Sequence, residues 1–197
     1  MKDSRYGNRG QAFESLLRFA NDRYRQKGVA VITKQATEFK PLRNASGKIV
    51  SAKVENKATV DFLGAYKGRA IAIEAKHTST DSIRFDAVQP HQVAFMNDFC
   101  KQPGVIGLVA ISFGMKHFYV VPWLVWKTAY DARIPLTATK TAPVTVSAYG
   151  TTWTIPKKKS VRMDELNPLW SIPNHDYDFG LHYLRDAEKY IVNQPKI

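Results

Sequence analysis

The period of the apolar positions changes several times along the chain. From Asn8 to Gly28 ("NRGQAFESLLRFANDRYRQKG") they fall at Phe13, Leu16, Leu17, Ala20 and Tyr24, which is helical spacing. Asn8 as N-cap, Gln11 three residues on and Gly28 as a stop predict an amphipathic helix over 9–27. "VAVITK" follows as a short strand. The stretch "EFKPLRNASGKIVSAKVENK" is too polar for core and carries turn residues at its middle, so it predicts an extended hairpin or protruding loop. In "ATVDFLGAYKGRAIAIEAKH" two strand-like runs, 58–66 and 69–76, meet at Lys67-Gly68, where glycine accepts the positive φ of a primed turn. Residues 89–101 predict a helix with Pro90 in its first turn. "GVIGLVAISF" and "KHFYVVP" predict two buried strands, "WLVWKTAYDA" a short helix, "TVSAYGTTWTI" a hairpin ended by "KKKS", and "YDFGLHYLRDAEKYIV" a last helix. This order of elements predicts a mixed α/β or α+β architecture with one central sheet, in a single domain over 1–197.

Three charged residues interrupt the otherwise apolar pair of strands. With the turn at Lys67-Gly68, counting outward sets Tyr66 against Arg69, Phe62 against Ile73 and Asp61 against Glu74. Opposed residues share a face. Asp61, Glu74 and Lys76 therefore fall on one face, while Val60, Phe62, Ile71, Ile73 and Ala75 make the apolar other. Two carboxylates about 5 Å apart on opposed positions repel each other and call for compensation. Mg²⁺ supplies it naturally, because it takes one or two carboxylates together with water and a phosphate oxygen. Lys76 then stands where an ammonium can orient the attacking water or stabilise charge building on the phosphate. The competing reading is a cross-strand salt bridge on an exposed sheet face, with no chemistry.

Composition shifts the balance toward the first reading. The 197 residues are 44% hydrophobic and 23% charged, ordinary for a folded chain, but the net charge is +12. Residues 1–57 hold 13 Lys/Arg against 5 Asp/Glu, a surplus of 8, so two thirds of the excess lies in the first third of the chain. That distribution favours a polyanion, nucleic acid first, over a basic surface selected for solubility. Cys100 is the single cysteine, which rules out an intrachain disulfide and reads as a small buried hydrophobe in a reducing compartment. The start is polar and no apolar run reaches 18 residues, so a cytoplasmic protein with no membrane partner is expected.

The stretch "VDFLGAYKGRAIAIEAKH" resembles the PD-(D/E)xK nuclease core, with Asp61, Glu74 and Lys76 on its three motif positions and Val60 in place of the usual proline. More narrowly, "NRGQAFE", "DFLGAYKGRAIAIEAK", "HQVAFM" and "KKKSVRMDEL" resemble, in order, the RecU family of Holliday junction resolvases, from about Asn8 to Leu166. The resemblance implies a restriction-endonuclease-like core, a central mixed sheet flanked by helices, with a protruding basic stalk at about 39–57. It implies a homodimer that nicks four-way DNA symmetrically using Mg²⁺, or Mn²⁺ in its place, with recombination or branch-migration proteins as further partners. Glu14, Asp61, Glu74 and Lys76 match the catalytic set, and Asp61, Glu74 and Glu14 its metal ligands. Arg9, the stalk cations Lys40, Arg43, Lys48, Lys53 and Lys57, and Gln92 are the implied DNA contacts. Region 135–156 departs from the family pattern, and the chain begins close to "NRG", which is compatible with a phage-encoded version.

Plainer readings exist for several of these residues. Glu14 alone would be an outward-facing helical glutamate, His91 and Gln92 could cap or solvate their helix, and His77 alternates to the face opposite Lys76. Phe118, Tyr119, Trp123 and Trp126 sit in apolar surroundings and read as core or dimer interface rather than base-stacking groups. "KKKSVR" reads as a solvated basic turn that could also touch a DNA arm. Rival functions are a restriction-type or flap-trimming nuclease of the same superfamily, a DNA-binding protein with vestigial carboxylates and, more remotely, an RNA-binding module, which lacks any RRM or KH signature.

Overall fold

The computed structural model describes residues 4–132, 144–148, 151–155, 159–173, 178–185 and 187. Within them helix α1 (Ser4–Gln26) leads into strand β1 (Ala30–Lys34), and an outlying hairpin follows from β2 (Glu38–Arg43) and β3 (Ile49–Asn56). Next come β4 (Phe62–Tyr66), β5 (Arg69–Thr78), β6 (Ser82–Arg84), α2 (Pro90–Phe99), β7 (Ile106–Phe113), β8 (His117–Pro122) and α3 (Trp123–Ala132). A second hairpin, β9 (Val144–Ala148) and β10 (Thr151–Ile155), precedes β11 (Ser160–Arg162), which pairs with β6, and β12 (Ser171–Ile172).

Six of these strands form one sheet in the order β1-β4-β5-β7-β8-β12. Only β5 and β7 run parallel, joined by a crossover through α2, so the sheet is mixed and the α+β expectation holds. The apolar stripe of α1 buries Phe13, Leu17, Ala20 and Tyr24, and the Phe13 ring stacks on Phe118 of β8 at 5.7 Å. Opposed strand residues share a face, so Lys34, Phe62 and Ile73 lie on this α1 side of the sheet. Glu74 and Lys76 project from the other side, where α2 packs.

The hairpin that carries the charges has the register counted from the sequence, Tyr66 against Arg69 through Phe62 against Ile73. Its two turn residues, Lys67 and Gly68, have φ of 48° and 74°, the left-handed pair of a type I′ turn. Gly64 in β4 is required for another reason: a Cβ there would lie 2.1 Å from the Val31 carbonyl oxygen of β1. Only glycine lets the edge strand close on the hairpin.

The outlying hairpin is the predicted stalk. β2 and β3 pair antiparallel, and every described side chain on them is exposed. Five large apolar residues stand in solvent there: Phe39, Leu42, Ile49, Val50 and Val54.

Three local expectations change. Helix α1 begins at Ser4, so Asn8 lies inside it rather than capping it, because Arg5 to Asn8 continue a helix that Phe13 and Leu17 already anchor. The strand expected over 58–66 starts at Phe62, and Ala58 to Asp61 approach it as irregular chain. The last helix is absent from 178–185, where the chain turns at Gly180 (φ 70°) and buries Leu181, Tyr183 and Leu184 through irregular turns. The rest of that segment lies outside the described residues, apart from Ala187. Phe118, Trp123 and Trp126 are core, and Tyr119 is half-buried. Among the described residues no helix is long and apolar enough to cross a membrane.

Candidate active site

Asp61 is the residue immediately before β4, and its carboxylate turns onto β5, where Oδ2 accepts a hydrogen bond of 2.8 Å from the Ala75 N–H. That bond ties the first acid to the strand that bears the second. Glu74 sits in the middle of β5 and is fully buried, with Oε1 paired to the Lys76 ammonium and Oε2 buried without a hydrogen-bond partner. Lys76 Nζ also donates to Gln92 Oε1 at 3.3 Å. Gln92 is held for this purpose by its own helix start. Its Oε1 accepts from the Gln89 N–H at 2.9 Å in the capping box that opens α2, and Pro90 supplies the first turn.

Burial raises the Glu74 carboxyl from its ordinary 4.5 to about 8; the Lys76 ammonium pulls it down and the Asp61 charge pushes it up again. An ionised pair of acids is therefore poorly compensated by one lysine. The donor set, two carboxylates with one oxygen buried and unpaired, fits a hard divalent cation, which uses one or two protein carboxylates and fills its remaining positions with water and phosphate oxygen. Among the described residues no three His, Cys, Asp or Glu side chains converge closely enough to hold an ion by themselves.

Glu14 reaches the region from α1. Its carboxylate forms an ion pair with Lys34 at the end of β1. The Gln35 N–H next to Lys34 donates to the Asp61 carbonyl at 2.8 Å, so this second charged pair lies one backbone bond away from Asp61. Lys34 was not singled out from the sequence, where it reads as the last residue of a strand. The signal for it is its position directly opposite Phe62, the neighbour of Asp61.

The remaining site residues divide by place. Lys40, Arg43, Lys48, Lys53 and Lys57 are all exposed, on the stalk or at its foot, and Lys40 stands directly opposite Lys53. Arg43 bonds the Gly47 carbonyl at 2.8 Å across the stalk turn, and Lys40 has Glu55 at 3.7 Å. Arg9 lies in α1, but its side chain is outside the described residues. His77 faces away from Lys76, with Nδ1 3.2 Å from the Ser112 hydroxyl. His91 is exposed, whereas Gln92 is buried. The Cys100 thiol is pushed up to about 12 by burial, which suits a packing role and not a nucleophile.

Comparison with known proteins points the same way. The chain is 26% identical over 196 residues to a Holliday junction resolvase RecU from Staphylococcus saprophyticus, covering 96% of this chain and 84% of that protein. It is 31% identical over 123 residues to the protein of that name from Streptococcus gordonii and 32% identical over 123 residues to the one from Streptococcus thermophilus. Each of those two matches covers 59% of this chain and 62% of the relative, so the chain spans a little under two thirds of the streptococcal proteins. The model of the family described as RecU, Recombination protein U, matches residues 8–145, which contain the stalk, both acids, Lys76 and Gln92, and the chain belongs to that family.

Proposed function

We propose that the chain is a metal-dependent endodeoxyribonuclease that resolves four-way DNA junctions. The observation that carries this reading is the pair Asp61 and Glu74 on one hairpin, with Lys76 and Gln92 beside it and one Glu74 oxygen buried and unpaired. Asp61 and Glu74 would hold Mg²⁺ or Mn²⁺, with Glu14 completing the set once released from Lys34. Such an ion, when bound, would neutralise charge at the phosphate and make a water more acidic. Lys76, held by Glu74 and Gln92, would orient the attacking water or neutralise the phosphate oxygens. Burial of Glu74 excludes bulk water and strengthens each of these interactions.

The stalk supplies affinity. Lys40 directly opposite Lys53 is a like-charge pair that Glu55 offsets only in part, and phosphates lying between the two would relieve it. A homodimer is the working unit in this reading, since matched nicks on two strands need two sites in two-fold relation, and the apolar residues left in solvent on the stalk suit a protein partner. Action in the cytoplasm alongside recombination or branch-migration proteins belongs to the same proposal. Asp61→Asn tests its core: nicking of a four-way junction falls by about a thousandfold or more while junction binding stays within a few-fold. Undiminished nicking in that variant removes the metal-site assignment, and equal cutting of flap and linear duplex DNA points to a different nuclease of the superfamily.

A further inference from the structure

A groove of about 270 Å³ runs between α1 and β1. Its helical bank is made by Arg18, Asn21, Asp22 and Arg25, and its other bank by β1 from Val31 to Lys34. Positions 14, 18, 21 and 25 follow one another by steps of four, three and four, so Glu14 and both arginines share one face of the helix. β1 is an edge strand with only β4 beside it, so its outer edge borders the groove.

The charges are arranged along this line. At the end near Asp61 stands the Glu14–Lys34 pair; Arg18 comes next and forms no hydrogen bond or ion pair among the described residues. Arg25 lies farthest, 3.4 Å from Asp22, with both side chains mostly exposed. The Asn21 side chain is buried, its amide nitrogen without a hydrogen-bond partner and its oxygen accepting from the Tyr183 hydroxyl. Among the described residues Arg18 is thus an unpaired cation, in a polar trough whose end at Lys34 adjoins Glu14. From Glu14 to Arg25 the helix rises about 16 Å, close to five base pairs of duplex.

We infer that this trough is a second DNA contact, taking the phosphodiester backbone of one junction arm outward from the cut site, with Arg18 and Arg25 on phosphates about two to five nucleotides from the cleaved bond. The inference rests on reading the chain as a junction nuclease. It is separate from the stalk cations, and it gives α1 a role beyond carrying Glu14.

The test pairs protein and DNA changes. Junction binding by wild type and by the Arg18→Ala/Arg25→Ala variant is measured across salt concentrations, with intact arms and with neutral methylphosphonates at those arm positions. The expected result is a salt slope smaller by up to about 2 in the variant, and a methylphosphonate effect of several-fold that is present in wild type and absent in the variant. Equal methylphosphonate effects in the two proteins, or an unchanged slope, overturn the inference while leaving the nuclease reading standing. Loss of a dimer in sedimentation, with DNA binding unaffected, also overturns it, since the groove would then seat a second copy. Wild type that neither binds nor nicks four-way DNA removes the nuclease reading and this inference with it. Both arginines are exposed, so unchanged melting checks that the variant is folded.

Discussion

The β2–β3 and β4–β5 hairpins are neighbours in the chain and both antiparallel, yet Ile71 to Ala75 of β5 are buried without a break while the stalk exposes every described side chain. In the inner hairpin a slip of one residue would carry Ile71 and Ile73 to the face of Glu74, so core packing fixes where the acids meet. The stalk has no such restraint. Its pairing shifts register between Glu38 and Phe39 and again between Leu42 and Arg43, and it is held by its ladder and by Asn44, which closes the turn onto Lys48. In the proposed function, chemistry that depends on placement falls to the hairpin held by the core, and contact with a large polyanion to the exposed one.

This contrast can be broken by experiment. The largest effect is expected in the inner hairpin: Ile73→Ala removes a fully packed side chain and costs about 2–5 kcal/mol by denaturant midpoint, whereas Lys53→Ala on the stalk stays within about 0.5 kcal/mol. Comparable losses at the two sites would show that the stalk is as tightly determined as the core.

The next effect is electrostatic. Because Glu74 titrates near 8 in the folded protein and at an ordinary 4.5 when unfolded, the folded chain binds the proton more tightly. Stability from this group is full below about 4.5 and lost as the pH rises through about 8. Without metal the melting temperature falls between pH 5 and 8 by an amount that Glu74→Gln abolishes, a difference on the order of a few kcal/mol at most. Mg²⁺ then stabilises the wild-type protein more at pH 8 than at pH 6, because it takes the ionised carboxylate. Identical pH profiles for wild type and variant would place Glu74 in a wetter setting than the fold gives it.

The smallest effect on the fold belongs to the stalk cations. Replacing Arg43, Lys48 and Lys53 together is expected to leave melting nearly unchanged and to reduce the salt slope of junction binding by up to about 3. An unaltered slope would mean that their charge is surface decoration.

Much of this was legible in the sequence because it is local. The Lys67-Gly68 turn set the ladder from Tyr66–Arg69 to Phe62–Ile73, which ends one position short of the acids, and the polar run from Glu38 to Lys57 announced the stalk. The burial of Glu74 was not legible: alternation put it on a polar face, and α2, which packs on that face, arrives later in the chain. The Glu14–Lys34 pair was hidden for a related reason, since it depends on how α1 crosses β1. The failed helix at 178–185 shows the converse, with apolar residues at helical spacing consumed by irregular packing around Gly180.

The two-residue turn has one more consequence, for the order in which the protein assembles. Asp61, Glu74 and Lys76 lie within 16 consecutive residues, and closing the 12-residue loop between the two acids costs only about 2 kcal/mol in chain entropy. Gln92 must wait for the β5–β7 crossover, a slower, longer-range event. The low closure cost therefore favours bringing the two acids together before α2 docks over them.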